Sequence, residues 1–288
     1  MKRNEIRGTL RRRMSDFGIL FLFTGSNMTS LFEIRGTLTP KTSSILQVGG
    51  ILFLLSLWAA ICATGLIGPR ILPSPLAVIQ TLPSLHFEDA LVRNLGYSCG
   101  LNFMGYTEAI AVCLPLGFLI GMFPIFNGMF SKQVDSIRYL PLTALTGLFM
   151  EWFGLGNMMK IQFLSFGIIV YLLPIVVQRV REVPELYQQT AFTLGASKWQ
   201  MFRTVFLPYV RSRIILDIQV LVAISWTYII VAEMMNNTGG IGGLLYSSAR
   251  AGRTDKTFAL LAMIIMVGYI QDKAFLLLDM IINKHKYS

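Results

Sequence analysis

Residues 184–208 read PELYQQTAFTLGASKWQMFRTVFLP, and the organisation of the rest of the chain turns on this polar stretch. Pro184 suits the first position of a helix, where its missing N–H would have no partner in any case. Glu182 and Glu185 put negative charge at that end, which the helix dipole favours. Tyr187, Ala191 and Leu194 recur at i, i+4 and i+7 and so share one apolar face. Gly195 supplies a left-handed stop. Ser197 is placed to cap a second short helix, along which Trp199, Phe202 and Phe206 repeat on one side. Pro208 is expected to interrupt that helix before the next apolar run. The segment is too polar to cross a bilayer and too regularly patterned for a loose loop. It predicts a rigid two-helix knob at a membrane surface, offered to a partner.

Composition supplies the membrane. The 288 residues are 54% hydrophobic and only 14% charged, with a mean hydropathy of +0.60, whereas soluble domains carry about 25% charged residues. The net charge of +10 would suit nucleic acid. The basic residues, however, gather in the N-terminal tail and at the ends of apolar runs, where membrane topology accounts for them, and no nucleic-acid partner is expected. Cys62, Cys99 and Cys113 lie in or beside apolar runs without metal-ligand spacing. His86 and His285 are far apart in sequence, and no metal site is expected.

Six apolar runs follow the tail: 45–69, 109–131, 138–150, 161–178, 214–232 and 258–271, the last extending to Met280 past Asp272 and Lys273. The first, second and fourth are the clearest by hydropathy. Residues 69–95 form a proline-rich loop. Gly105, Gly117, Gly121 and Gly167 allow close helix packing. The fold class expected is all-α, a polytopic membrane bundle of about six transmembrane helices. Residues 1–44 read as a basic cytoplasmic tail, 45–282 as the transmembrane domain, and 283–288 as a second tail. The hexapeptide EIRGTL occurs twice, at 5–10 and at 33–38. Six crossings return both termini to one side, and the basic tail makes that side cytoplasmic. The 184–208 knob falls between crossings four and five and shares it.

The chemistry missing from the chain is informative. There is no phosphate-cradling G-x-x-x-x-G-K-[ST], no H-E-x-x-H and no G-x-S-x-G. A ladder of carboxylates inside the spans, as proton-driven carriers need, is missing as well. A transporter built on this chain takes its energy from another subunit, and the knob is where that energy would arrive. A stand-alone channel or carrier, which would pass solute without a partner, remains the alternative, and a membrane enzyme would need a catalytic cluster that the sequence lacks.

The knob also resembles the cytoplasmic loop of ABC-importer permease subunits, which reads E-A-A, three residues, G, nine residues, then I-x-L-P. Gln189-Thr190-Ala191 stand at the E-A-A positions, Gly195 at the glycine, and Val205-Phe206-Leu207-Pro208 at I-x-L-P. Gln189 departs from the usual glutamate and loses its charge. The resemblance extends over residues 71–282. Leu72-Pro73-Ser74-Pro75, Thr193-Leu194-Gly195-Ala196-Ser197, and Ala232-Glu233-Met234 followed by Gly240-Ile241-Gly242 are similar to the subgroup for nitrate, sulfonates, taurine and bicarbonate. That subgroup also includes permeases for thiamine precursors. The resemblance implies that Tyr187, Gln189, Thr190, Ala191, Leu194, Gly195, Ala196, Trp199 and Pro208 contact an ATPase subunit. It implies ATP and magnesium on that subunit rather than on this chain, which binds no cofactor itself. It further implies an extracytoplasmic solute-binding protein, a permease homodimer, surrounding membrane lipid and a place in the inner membrane. Glu233, Gly240 and Gly242 are candidates for the path or gate.

Overall fold

The computed structural model describes residues 38–235 and 239–286. Most of the basic tail, including the EIRGTL repeats apart from Leu38, lies outside them. By its contacts the chain divides into two units, Met1–Gly65 and Leu66–Ser288. In the first, α1 (Pro40–Ala63) starts ahead of the apolar run at residue 45, because Thr39 caps it and Pro40 occupies its first turn. The Thr39 hydroxyl accepts from the Thr42 N–H at 3.3 Å. None of its residues is buried. Its 24 residues rise about 36 Å, enough to span a bilayer.

The α-helices of the second unit's described residues are α2 (Pro75–Gln80), α3 (Leu82–Phe87), α4 (Leu91–Met122), α5 (Pro124–Ser136), α6 (Thr146–Phe153), α7 (Asn157–Arg181), α8 (Glu185–Thr193), α9 (Lys198–Met201), α10 (Leu207–Val220), α11 (Val222–Met235), α12 (Ile241–Arg250) and α13 (Thr254–Ile282). Helices α1, α4, α7 and α13 are each long and apolar enough to cross a membrane. Counted as one span, the pair Lys198–Val220 and Val222–Met235, bent by 46° at the break between them, makes a fifth. The all-α bundle is as expected, with differences in its boundaries.

Helix α4 begins at Leu91, far ahead of residue 109, because its polar residues turn inward. Ser98 and Asn102 are fully buried and hydrogen-bonded, so the bilayer never meets them. The 138–150 run is not one helix. A turn at Ile137–Tyr139 gives way to extended Leu140, a second turn at Leu142–Leu145 and then α6. Pro141 is the cause, since its ring pushes the preceding residue out of the helical region, and Leu140 sits at φ −71°, ψ 124°.

The core is the seam between α4 and α7. A Cβ added at Gly105 would fall 2.8 Å from Leu164, at Gly117 2.3 Å from Val176, and at Gly121 2.6 Å from Val180. The partners climb together in number, so the two helices run parallel with their backbones nearly touching. Gly167 makes room on α7 for Tyr228 in the same way. Polar side chains join the other spans to this seam. Asn102 of α4 donates to Ser225 of α11 at 3.1 Å, Gln271 of α13 donates to Asn102 at 3.2 Å, and Trp226 donates to Gln271 at 2.8 Å. In an apolar surround such bonds fasten helices that hydrophobicity alone would not hold together.

Candidate functional site

The 184–208 stretch folds as α8, a glycine turn and α9. Pro184 takes the cap position just before α8 rather than its first turn. Gly195 stands at φ +76°, a conformation that other residues adopt only with strain. Its N–H bonds back to the Phe192 carbonyl at 2.9 Å, and the Ala196 N–H bonds back to Ala191 at 3.0 Å, which closes the first helix. Ser197 and Gln200 then form a reciprocal cap. The Gln200 N–H donates to the serine hydroxyl at 3.3 Å, and the Ser197 N–H donates to the Gln200 side chain at 2.8 Å.

Pro208 does not break the second helix. A wide five-residue turn, Phe202–Phe206, carries α9 into α10, and such a π turn accommodates the N–H that proline lacks. The knob is therefore continuous with the bent fifth span. Its base is tied as well. Arg179, in the last turn of α7, donates two bonds to Asp217 of α10 at 2.7 and 2.8 Å and a third to Glu182 at 2.7 Å. Arg179 holds the Glu182 carboxyl below the usual carboxylate range, with Gln178 and Arg213 helping. Tyr209 donates to the Glu182 carbonyl at 2.9 Å. In the sequence, Arg179 reads as ordinary flanking charge and Asp217 as a cost to the fifth span. Only their pairing across the fold shows that they tie the base of the knob to α7 and α10.

The knob's apolar side chains face outward. Leu194 is 82% exposed, Trp199 61% and Tyr187 51%. A groove of about 730 Å³ runs between α8 and the start of α10, lined by Tyr187, Thr190, Ala191, Leu194 and Pro208 among others. A second, of about 550 Å³, separates Phe192, Trp199 and Phe202 from the end of α4. Trp199 stacks on Phe202 at 5.2 Å, with Arg203 over the indole ring. Gln189 and Ala196 lie on the same knob outside those two linings, Gln189 exposed and Ala196 half-buried.

Glu233, Gly240 and Gly242 come together elsewhere, and nothing about them is exposed like the knob. Glu233 is fully buried. One carboxylate oxygen accepts from the Ser98 hydroxyl at 2.7 Å and the other from the Gly242 N–H at 2.8 Å. Ser98 accepts from the Ile241 N–H at 2.9 Å, and Asn94 accepts from the Gly240 N–H at 2.9 Å. Three N–H groups at the start of α12 are thus taken by side chains, and the negative charge sits where the helix dipole favours it. Both glycines are required. Gly240 has φ +96°, and a Cβ there would lie 2.2 Å from the Glu233 carboxyl. A Cβ at Gly242 would lie 2.6 Å from the Ile230 carbonyl oxygen. The buried cation beside this knot is Lys160 of α7. It donates to the Gly239 carbonyl at 3.3 Å and covers the Tyr97 ring. Asn94, Ser98 and Lys160 have no signature in sequence, because isolated polar residues near apolar runs look like tolerated surface.

The protein resembles proteins of one kind. The taurine transport system permease protein TauC of Escherichia coli is 25% identical over 230 residues, covering 78% of this chain and 84% of the relative. The putative aliphatic sulfonates transport permease protein SsuC of Bacillus subtilis is 25% identical over 226 residues, covering 78% and 82%. The nitrate import permease protein NrtB of Synechococcus elongatus is 23% identical over 229 residues, covering 75% and 80%. Among solved structures, an inward-facing conformation of the methionine ABC transporter MetNI shares the fold. It has a TM-score of 0.56 at 19% identity, over 69% of this chain and 97% of that one. The family model for the binding-protein-dependent transport system inner membrane component matches residues 113–279. With that match covering more than half the chain, the protein belongs to this family and is the permease subunit of an ABC importer.

Proposed function

We propose that this permease imports a small oxyanion, of the nitrate, sulfonate, taurine or bicarbonate kind, and that ATP is hydrolysed on a separate subunit gripping the 184–208 knob. The observation that carries the reading is the knob itself: large apolar side chains held in water on a capped, glycine-turned and ion-paired frame. Surface of that kind is a protein-docking site. The relatives named for taurine, sulfonates and nitrate support the solute class.

Two copies of the chain around a two-fold axis would enclose the path, fed from outside by a solute-binding protein. The termini and the knob face the cytoplasm, with residues 1–44 and 283–288 as tails of the 45–282 permease domain. ATP and magnesium belong to the ATPase. When two ATPases close on ATP, each knob moves with its ATPase. Because α10 continues from the knob and Arg179 pins it to α7, the motion reaches the spans as a rigid-body tilt. Glu233, Gly240 and Gly242, on α11 and at the start of α12, belong to the path or its gate, at the end of α7 away from the knob.

The test is reconstitution with an ATPase. Gly195→Pro should leave the chain inserted and ATP hydrolysis measurable, while lowering uptake of labelled taurine or nitrate per ATP at least tenfold. Normal uptake by that variant would remove the coupling role of the knob.

A further inference from the structure

A third cavity serves neither the knob nor the Glu233 knot. It measures about 350 Å³ and lies where the broken 137–142 stretch meets the last turns of α7. Tyr171, Ile175 and Gln178 recur on one face of α7, and Arg181 follows on the same wall. Asp135 and Arg138 stand opposite. The two grooves of the knob offer mostly hydrocarbon, whereas this cavity offers two guanidinium groups. None of the ion pairs among the described residues uses Arg138 or Arg181. The neighbouring Arg179, by contrast, is saturated by Asp217 and Glu182. With Asp135 counted, the cavity keeps one net positive charge.

The helix breaks just past Arg138, outside the cavity lining. Extended Leu140 and Pro141 interrupt the helix, and α6 continues toward the start of α7, where Phe149 meets Phe163 at 5.4 Å. Tyr139 is 78% exposed beside the break. A cleft with two planar, weakly hydrated cations suits an oxyanion, which a guanidinium can grip through paired N–H groups.

We propose that Arg138 and Arg181, with Gln178 and Tyr171, form an oxyanion-binding subsite on the solute path, in the half of α7 nearest the knob. This rests on the importer reading and adds to it the place where the solute is held before release. A lipid phosphate offers the same chemistry, so the experiment separates the two. Full-length protein carrying Cys62→Ser, Cys99→Ser, Cys113→Ser and Ile175→Cys is placed in neutral phosphatidylcholine nanodiscs. Labelling of Cys at position 175 is timed with a sulfonate-bearing thiosulfonate reagent and with its trimethylammonium counterpart.

The anionic reagent should react faster by on the order of tenfold, the size of local enrichment that a charged cleft produces. Arg138→Gln with Arg181→Gln should abolish the preference, and the two lysine substitutions should restore most of it. Millimolar methanesulfonate should slow the anionic labelling with the arginines intact, a reading that needs no arginine variant to fold. Equal rates for the two reagents overturn the subsite. Protection by added phosphatidylglycerol but not by methanesulfonate also overturns it, since the cavity is then a headgroup site. Uptake of taurine or nitrate by the wild-type importer with its ATPase is measured separately. Uptake without labelling preference removes the subsite and leaves the importer reading standing; preference without uptake overturns the oxyanion-import reading and with it the subsite's place on the solute path, leaving only an anion-binding cavity.

Discussion

The knob at residues 184–208 and the knot around Glu233 sit at opposite ends of α7, and they are built on opposite rules. Lys160 beside the knot and Arg179 beneath the knob are separated along that helix by roughly 28 Å. At the knob, apolar side chains stay in water, with Leu194, Trp199 and Tyr187 all more than half exposed. At the knot, a carboxylate and an ammonium are fully buried, with Glu233 and Lys160 at 0% exposure. Each arrangement costs free energy in this chain alone, but the remedies differ. Exposed hydrocarbon is relieved by a partner. Buried charge is relieved only from within, by the Ser98 hydroxyl and the Gly242 N–H. The comparison teaches that one end presents apolar surface suited to a partner, whereas the other finds its partners inside the chain. Substitutions should therefore damage stability at the knot and association at the knob.

The largest effect is expected from Glu233→Ala. It strands the Gly242 N–H and leaves Lys160, within electrostatic reach of the carboxylate, without its counter-charge. Breaking a buried charged arrangement by removing one partner costs about 3–5 kcal/mol, and the thermal unfolding midpoint of the detergent-solubilised permease should drop by many degrees. A near-wild-type midpoint would mean that the knot is not what holds α12 to α4 and α11.

Next comes the seam that links the two ends. Gly117→Ala places a methyl 2.3 Å from Val176 Cγ1, and overpacking of this kind costs about 1–3 kcal/mol. Beyond stability, it should prise α4 from α7 and reduce transport per ATP hydrolysed, because the rod between knob and knot is no longer stiff. Unchanged coupling in a variant shown to be destabilised would sever the two regions functionally. Ser197→Ala is smaller. It removes half of a reciprocal cap on the short helix α9, and loss of such a cap costs about 1 kcal/mol. Hydrogen exchange across 196–206 should quicken while α4 and α7 exchange as before.

How much of this was legible in the sequence follows from the same contrast. The knob was readable because its signals are local: a glycine stop, a serine cap and i, i+4, i+7 spacing all lie within one short stretch. Pro184 stands one place off, at the cap rather than in the first turn, and Pro208 misled, because the π turn that absorbs it is a backbone adjustment no residue announces. The knot was only half readable. Ala232-Glu233-Met234 and Gly240-Ile241-Gly242 stood out by resemblance, but Asn94, Ser98 and Lys160 come from two other helices, and no local pattern joins them. The spans fared by the same rule. Ser98 and Asn102 depress hydropathy at the start of α4 although they face inward, so 109 was read where Leu91 is the start. Asp272 lowers the score of α13 although Gln219 satisfies it at 2.7 Å. The 138–150 run was apolar enough to suggest a helix, and Pro141 was visible in it. Hydropathy, however, does not report backbone direction, so the break at Leu140 appears only in the fold.

The smallest expected effect on the fold is also the sharpest divider of the two regions. Leu194 is 82% exposed, so Leu194→Ser removes almost no buried surface in this chain, and surface changes of that kind stay within about 0.5 kcal/mol. Unfolding midpoint, insertion and the exchange pattern of α8 should be indistinguishable from wild type. If the knob is gripped, however, the same leucine is buried in the complex, where a fully buried leucine side chain contributes about 1.5–3 kcal/mol. Affinity for the ATPase should then fall by about tenfold or more, read by titration of the ATPase onto nanodisc-held permease. Glu233→Ala should show the reverse pattern, a large loss of stability with ATPase affinity retained in the fraction that folds. Equal losses of affinity from the two substitutions would erase the distinction, because the knob would then be only as firm as the knot at the other end of its helix.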